Sequence, residues 1–443
     1  MPVRSLIGRF SWMWYERLLT RRWNELPYFE QASPDVQRYI LARRLAETVH
    51  HFAARSDALP QWRELARQED PLDVLAGWST LPVMDKDTLR RRFDPHRIRE
   101  QCRNRGHLDA TGGSTGEPVR FFHDSEMIRA KRTALLYTRL RMGWKPGMPT
   151  VIVWGSERDI GRSRSLVRRI GSGLLGNCLI DGYRVDPARI DAGLKYVRAH
   201  RPVAMYGYSS LLETVAKRAA ERGMRLPGCV RAAWNGGEML YDRQVEAFRD
   251  AFGVPILNRY GGRELGIIAC QFRAEAPLTI LRPWIYVEIV DGRGQPAGPA
   301  QPGRILVTST VCRGTPFIRY DVGDMAAFTN SDCSEAGIHA LSRIEGRVSG
   351  LLALPDGTTI NTIFWNHLFK EYPEVHQFQV VLQQAGDVSI RLVGPGFSRD
   401  RLAVASRTIG KFLQGVPFRI QWVPAIAATP QGKLMHVVRE STP

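Results

Sequence analysis

The chain lacks any run approaching the roughly 18 apolar residues of a membrane-crossing helix, so a transmembrane protein is not expected. A secretory leader is not expected either, because charges and tryptophans stand at the N-terminus where an apolar segment would be. Its six cysteines (102, 178, 229, 270, 312, 333) contain no CxxC pair. That spacing argues against a disulfide scaffold and a simple zinc finger, and fits a reducing cytoplasm. Repeats and low-complexity tracts are missing, and there is neither an RNA-binding signature nor a concentrated basic tract, so nucleic acid is not an expected partner. Acidic residues are in short supply: 44 Asp and Glu stand against 62 Lys and Arg, a net charge of +18, most of it arginine. Such a balance suits an acidic partner: a nucleotide, coenzyme A, an acidic carrier protein, an anionic membrane or nucleic acid. A cell that favours arginine explains it equally, so charge alone does not choose.

What is present is ample. At 443 residues, 44% of them hydrophobic, the chain exceeds one ordinary domain and can bury a sizeable core. Residues 107–119 hold a run of glycines and hydroxyls: Thr111, Gly112, Gly113, Ser114, Thr115 and Gly116. Glycine lets the backbone approach a ligand closely, and exposed N–H groups with hydroxyls suit phosphate oxygens. A Walker loop would need Lys and Ser/Thr after its last glycine, and Glu117 stands there instead. The same residues fit G-x-S-x-G, but that hydrolase elbow needs an apolar strand before it and a helix after it. Polar, mixed residues precede the run and Pro118 follows, which argues against a serine hydrolase. By itself the run reads equally well as a surface loop.

Residues 1–25 read as a helix with Leu6, Phe10, Met13 and Trp14 on one face, ringed by arginines. Such a helix packs on the main body or lies on an anionic membrane, and packing is the simpler reading. Helices follow at 34–72 and 87–92, then one at 125–140 with Ser125 as its expected cap. Strands at 150–154, 178–180, 203–206, 229–234 and 254–258 alternate with helices, predicting an α/β unit with a largely parallel sheet. A β-rich unit is expected from residue 285 and a small α+β module from about 350. A GxGxxG match at 171–176 follows an Arg/Ser-rich segment rather than a strand and is read as chance.

Five stretches then stand in a telling order: the glycine run; Asn235-Gly-Gly-Glu238; Tyr260-Gly-Gly-Arg-Glu264; Tyr320-Asp-Val-Gly-Asp324 with Arg343-Ile-Glu-Gly-Arg347; and Thr429-Pro-Gln-Gly-Lys433. Together they resemble the adenylate-forming superfamily of acyl-CoA synthetases, adenylation domains and luciferases. Within it the chain looks most like the phenylacetate–CoA ligase branch and its CapK-type capsular-polysaccharide relatives. The Pro-Phe-Ile-Arg-Tyr-Asp block and the N-terminal Leu81-Pro-Val-Met-Asp-Lys86 carry that closer likeness.

The resemblance implies an α/β fold: a large N-terminal adenylate-forming domain (residues 1–347) with parallel-rich sheets and a β-rich subdomain, and a small C-terminal α+β lid (348–443) carrying Lys433. It implies a cytoplasmic ligase, peripheral to the membrane if residues 1–25 touch it, that uses ATP and Mg²⁺ to convert a carboxylic acid to an acyl-adenylate. Coenzyme A then takes the acyl group. An amine, hydroxyl or carrier protein as acceptor remains the alternative, and a non-catalytic nucleotide- or nucleic-acid-binding protein is the alternative of another class. By the same resemblance, residues 111–116 hold phosphates and Glu264 holds Mg²⁺. Gly236, Gly237, Glu238, Tyr260 and Gly261 line the adenine site. Asp324 takes the ribose hydroxyls, and Arg347 adds charge. Lys433 bridges carboxylate and α-phosphate. Glu238 reads equally well as a helix cap, and Asp321 as structural. Trp154, Tyr183, Tyr206, Tyr208 and Trp234 are candidates for an acyl pocket suited to an aromatic or medium apolar acid, or else for core packing.

Three positions depart from the family pattern. Val119 stands near where many members carry lysine at the end of the glycine run, and Ser349 occupies a hinge position that is often charged. Some phenylacetate-ligase relatives bind zinc through a Cys/His and Cys-x-Cys set. Cys270 and Cys333 fall near such places, but Glu335 replaces the second cysteine and no histidine follows Cys270 closely, so zinc is not expected.

Overall fold

The computed structural model describes residues 22–110, 119–154, 177–181, 184–291, 293–298, 300–301, 303–329, 340–345, 351–353, 359–361, 363–369, 371–372, 374–375, 377–383, 386–413, 415–426 and 437–439. Its centre is a five-stranded parallel sheet in the order Cys178–Asp181, Thr150–Trp154, Val203–Gly207, Val230–Asn235, Ile256–Leu257. Parallel neighbours need crossover connections, and the helices Pro187–Ala199, Ser209–Glu221 and Asp242–Phe252 supply three of them. Each shows one apolar stripe. Ile190, Leu194, Val197, Leu211, Leu212, Val215 and Phe248 pack with Val151, Val153, Val203 and Met205 from the strands. The opposite face of the sheet offers Ala204, Ala232 and Trp234 to Leu136 of the helix Ser125–Arg141 and to Met142 and Trp144 just beyond it. Both faces are thus covered, as the near-continuous apolar strands require.

A seven-stranded antiparallel sheet lies next in sequence, ordered Ile285–Val290, Gly303–Ser309, Tyr320–Phe328, Ala340–Glu345, Leu278–Ile280, Gly266–Cys270, Arg259–Gly262. The β-rich part therefore starts near residue 259, earlier than the expected 285, because Arg259–Gly262 and Gly266–Cys270 form a hairpin around Arg263, Glu264 and Leu265. The motif Leu81–Lys86 is stitched to this sheet. Met84 bridges Tyr320, its N–H donates to the carbonyl of Arg319 at 3.0 Å, and its carbonyl accepts the N–H of Asp321 at 2.9 Å. Buried Arg319 pairs with Glu288 at 3.1 Å and donates to the carbonyls of Ser79 and Leu81. Asp321 also has a structural task, accepting from Arg304 at 2.8 Å and from the N–H of Gly323 at 2.8 Å.

Residues ahead of the glycine run, read as mixed and polar, form a strand. Gly106–Ala110 pairs antiparallel with Arg120–Asp124, His107 facing His123 and Asp109 facing Phe121. A side chain on Gly106 would overlap the carbonyl oxygen of His123, which fixes glycine at this close approach. Asp124, not Ser125, caps the long helix: its Oδ1 accepts the N–H groups of Glu126 (2.8 Å) and Met127 (3.0 Å). Its Oδ2 accepts the N–H groups of Arg313 (2.6 Å) and Gly314 (2.7 Å).

Toward the C-terminus, Gln377–Leu382, Val388–Val393, Phe418–Trp422 and Val437–Arg439 make a four-stranded mixed sheet. The helices Ile363–Phe369 and Arg399–Leu413 bury Trp365, Ile409 and Phe412 against it in a core of its own. No described helix is long and apolar enough to cross a membrane. The fold is the expected α/β class, with parallel and antiparallel sheets in the expected sequence order.

Candidate active site

Open parallel sheets place ligands beyond the carboxyl ends of their strands. Four strand ends here carry the residues singled out by sequence. Trp154 ends one strand and Gly207 the next, followed by Tyr208. Asn235 ends a third and leads into Gly236-Gly-Glu238, and Ile256–Leu257 leads into Arg259 and Tyr260.

Buried Asn235 locks these ends together. Its Nδ2 donates to Ser209 Oγ (2.9 Å) and to the carbonyl of Glu238 (3.0 Å), and its Oδ1 accepts the N–H of Arg259 (2.8 Å). Glu238 caps: its Oε2 accepts both the N–H (2.9 Å) and the hydroxyl (2.7 Å) of Ser210 in the first turn of Ser209–Glu221. Gly237 has φ +78°, and a Cβ there would lie 2.9 Å from the Tyr208 ring, so glycine is required twice over.

The aromatic candidates stack on one another. Tyr208 and Trp154 lie 4.1 Å apart between ring centroids, Trp154 and Tyr206 5.0 Å, and Tyr206 and Trp234 6.1 Å, all within 24° of parallel. Arg259 covers the exposed side of this wall, its guanidinium carbon 4.3 Å from the Tyr206 ring centre. Trp234 is fully buried and Tyr208 nearly so, whereas Trp154 and Tyr206 are half-buried. Tyr183 lies outside the described residues.

Two hydrogen bonds bring the distant acidic motifs together. Tyr260 Oη donates to Asp324 Oδ2 at 2.9 Å, joining the glycine hairpin to the strand Tyr320–Phe328. Tyr320 Oη donates to Glu264 Oε1 at 3.3 Å, crossing back between the same segments. Asp324 and Glu264 are half-buried, with Gly261 exposed beside them. The Glu264 turn is held from behind: His123 Nε2 meets the Glu264 carbonyl oxygen at 2.7 Å, and Lys131 Nζ donates to the Arg263 carbonyl at 2.7 Å. Burial, aided by the charge on Lys131, lowers His123 to about 3, so its ring is neutral. Burial likewise lowers the pKa of Lys131. Cys270 is fully buried in the core, and its thiol is pushed up to about 12, so it stays protonated.

The structure thus gathers Gly236, Gly237, Glu238, Tyr260, Gly261, Glu264, Asp324, Trp154, Tyr206 and Tyr208 around one edge of the sheet. The phosphate candidates Thr111 to Gly116, Arg347 and Lys433 lie outside the described residues, as do Cys333 and residues 1–21. Sequence reasoning missed Asn235, Asp124, Arg259 and His123. Asn235 had a visible signal, since it opens the Asn-Gly-Gly-Glu motif; a buried histidine on a short strand gave none.

Residues 176–314 match the family model described as AMP-binding enzyme. Protein CapK of Staphylococcus aureus is 23% identical over 258 residues, which cover 58% of this chain. The match spans 55% of that relative's length. Among solved structures, 2-hydroxyisobutyryl-CoA ligase in the postadenylation state with R3-HIB-AMP superposes with a TM-score of 0.56 at 17% identity, covering 94% of this chain and 92% of that one. The same ligase with 2-HIB-AMP and CoA in its thioesterification state gives 0.56 at 16% identity, over 92% and 90%. The resemblance to the adenylate-forming superfamily and to CapK-type proteins is thereby borne out, and the fold is that of its ligases.

Proposed function

We propose that this chain is an ATP-dependent ligase that activates a carboxylic acid as its acyl-adenylate and then delivers the acyl group to coenzyme A. The observation that carries the reading is the Tyr260–Asp324 hydrogen bond, with Tyr320–Glu264 beside it. Residues 64 and 56 positions apart meet where a nucleotide is expected at the strand ends. The AMP-binding match and the whole-chain superposition on a CoA ligase support it.

In this reading the substrate carboxylate oxygen attacks the α-phosphorus of ATP and pyrophosphate leaves. The coenzyme A thiolate then attacks the acyl carbon and AMP leaves. The first step brings two anions together, so positive charge and fixed donors must be supplied where charge builds up. Lys433 bridges carboxylate and α-phosphate, Arg347 adds charge, and residues 111–116 offer N–H and hydroxyl donors. Asp324 accepts from the ribose hydroxyls, and Tyr260 both orients that carboxylate and borders the adenine with Gly236, Gly237 and Glu238. Glu264, a half-buried carboxylate, would hold a magnesium ion, which takes carboxylate and phosphate oxygens. Residues 1–347 form the nucleotide and acyl domain, and 348–443 the lid that carries Lys433. Trp154 and Tyr206, with Tyr208 and Trp234 stacked against them, favour an aryl or medium apolar acid, and Tyr183 is a further candidate for the pocket. The protein works in the cytoplasm, at a membrane surface if the basic segment of residues 1–25 docks there.

The test is ATP–pyrophosphate exchange across a panel of aryl and aliphatic acids. Exchange is expected to depend on the acid and to fall about 100-fold or more in Lys433→Ala and Asp324→Ala. Failure of every acid to support exchange, while ATP still binds, overturns the reading. Adding coenzyme A, or an amine in its place, then identifies the acceptor by which one is consumed.

A further inference from the structure

A second cluster of polar side chains lies behind the Glu264 turn. His107 and Asp109 stand two apart on one strand, hence on the same face, and His123 sits directly opposite His107 on its partner strand. One potential ligand atom from each lies within 4.8 Å of the other two. The rings of His107 and His123 are 5.5 Å apart, edge to face.

The tautomer of His123 is fixed by its surroundings. Its Nε2 faces the carbonyl oxygen of Glu264, which can only accept, so Nε2 carries the hydrogen. In the neutral ring Nδ1 is then a bare lone pair. That atom is buried and, among the described residues, has no hydrogen-bond partner. Asp109 cannot satisfy it, because a carboxylate donates nothing. A buried acceptor left in this state is destabilising unless something fills the place. Imidazoles that bind metals characteristically donate their other ring N–H to a backbone carbonyl or carboxylate. His123 already does this.

We propose that His107, Asp109 and His123 form a binding site for one divalent transition-metal ion of the zinc type. Two imidazoles and one carboxylate suit zinc, cobalt or nickel, and not magnesium or calcium, which take oxygen ligands. Three protein ligands leave a fourth position for water or an incoming oxygen donor. Zinc bonds of about 2.0–2.2 Å place ligand atoms about 3.3 Å apart. Exposed His107 and half-buried Asp109 can close that gap by side-chain rotation, and they open the cluster to solvent so that an ion can reach it. Lys131, and Arg263 with its Nη1 3.9 Å from Asp109 Oδ1, lie beside the site and moderate its affinity.

This site is separate from the cysteine positions weighed earlier and from the magnesium expected on Glu264. An ion here would tie together two parts of the nucleotide site. His107 and Asp109 lie on the strand that runs directly into the glycine run, and His123 holds the Glu264 carbonyl.

Stripping the protein with a chelator and titrating Co²⁺ tests the idea without any turnover, so its outcome is independent of the adenylation reading. One equivalent is expected to raise visible d–d bands without thiolate charge-transfer bands. Zinc should displace it, and millimolar magnesium should not. His107→Ala and Asp109→Ala, both at accessible positions, should each weaken cobalt binding by more than tenfold with circular dichroism unchanged. Zinc should raise the melting temperature of wild type and of neither variant. Absence of the bands in wild type, their persistence at full affinity in both variants, or displacement by magnesium overturns the site.

Discussion

Tyr260 and Asp324 show how a single hydroxyl can fix a carboxylate from a distant motif. The phenol donates to one oxygen of the carboxylate, Oδ2, and so orients the group. Removing the hydroxyl in Tyr260→Phe forfeits one hydrogen bond of about 1 kcal/mol, so the KM for ATP is expected to rise about fivefold with kcat little changed. Steady-state exchange kinetics measure both. A kcat loss matching that of Asp324→Ala would mean instead that Tyr260 acts on the reaction step itself. The motifs that hold these two residues were legible because the turn chemistry of each is local. Asp124 and His123 were not. Their partners lie 189 and 141 positions away, at Arg313 and Glu264, and no local pattern announces a contact at that distance.

Among the elements, the junction at Asp124 joins a strand end, a helix start and a distant turn through one carboxylate. Four backbone N–H groups converge on it, from Glu126, Met127, Arg313 and Gly314. Asp124→Asn keeps the shape, but it removes the charge and turns one acceptor into a donor facing N–H groups. Urea unfolding should show a loss of about 2–3 kcal/mol, the value of hydrogen bonds to a charged group. A change below 0.5 kcal/mol, typical of an ordinary surface position, would refute that role. Helix periodicity and βα alternation located most elements of the parallel sheet well. The cap was misplaced by one residue because Asp124 and Ser125 are both good caps, and only the second set of partners on Asp124 decides between them. The antiparallel sheet was placed too late for a different reason. Gly261, Gly262 and Gly266 disguise a hairpin whose pairing comes from its neighbours.

At the scale of the whole molecule, the described residues hold three large hydrophobic cores and a smaller fourth. The third draws only on residues from Phe364 onward. Truncating its centre in Ile390→Ala should cost about 2–5 kcal/mol there, as buried large-to-small changes do. Hydrogen exchange should show the loss confined to residues beyond 363, with ATP binding by the rest retained. Loss of protection in the parallel sheet as well would mean that the cores melt as one. The separation of these cores was foreshadowed by the change in periodicity near residue 350. How the cores meet was not, since that depends on pairings such as Ile360 with Arg184, across more than 170 residues.

The stacked rings at the strand ends have an optical side. Tyr208, Trp154, Tyr206 and Trp234 lie face to face at 4.1–6.1 Å, close enough for their transition dipoles to couple and share an absorbed photon. Such an array behaves as one chromophore whose near-ultraviolet circular dichroism depends on the angle between its members. Gly237 rests on its outermost ring and Arg259 on its third. A molecule that shifts either one retunes the whole array, and the protein thereby carries an unlabelled reporter of occupancy at its own strand ends.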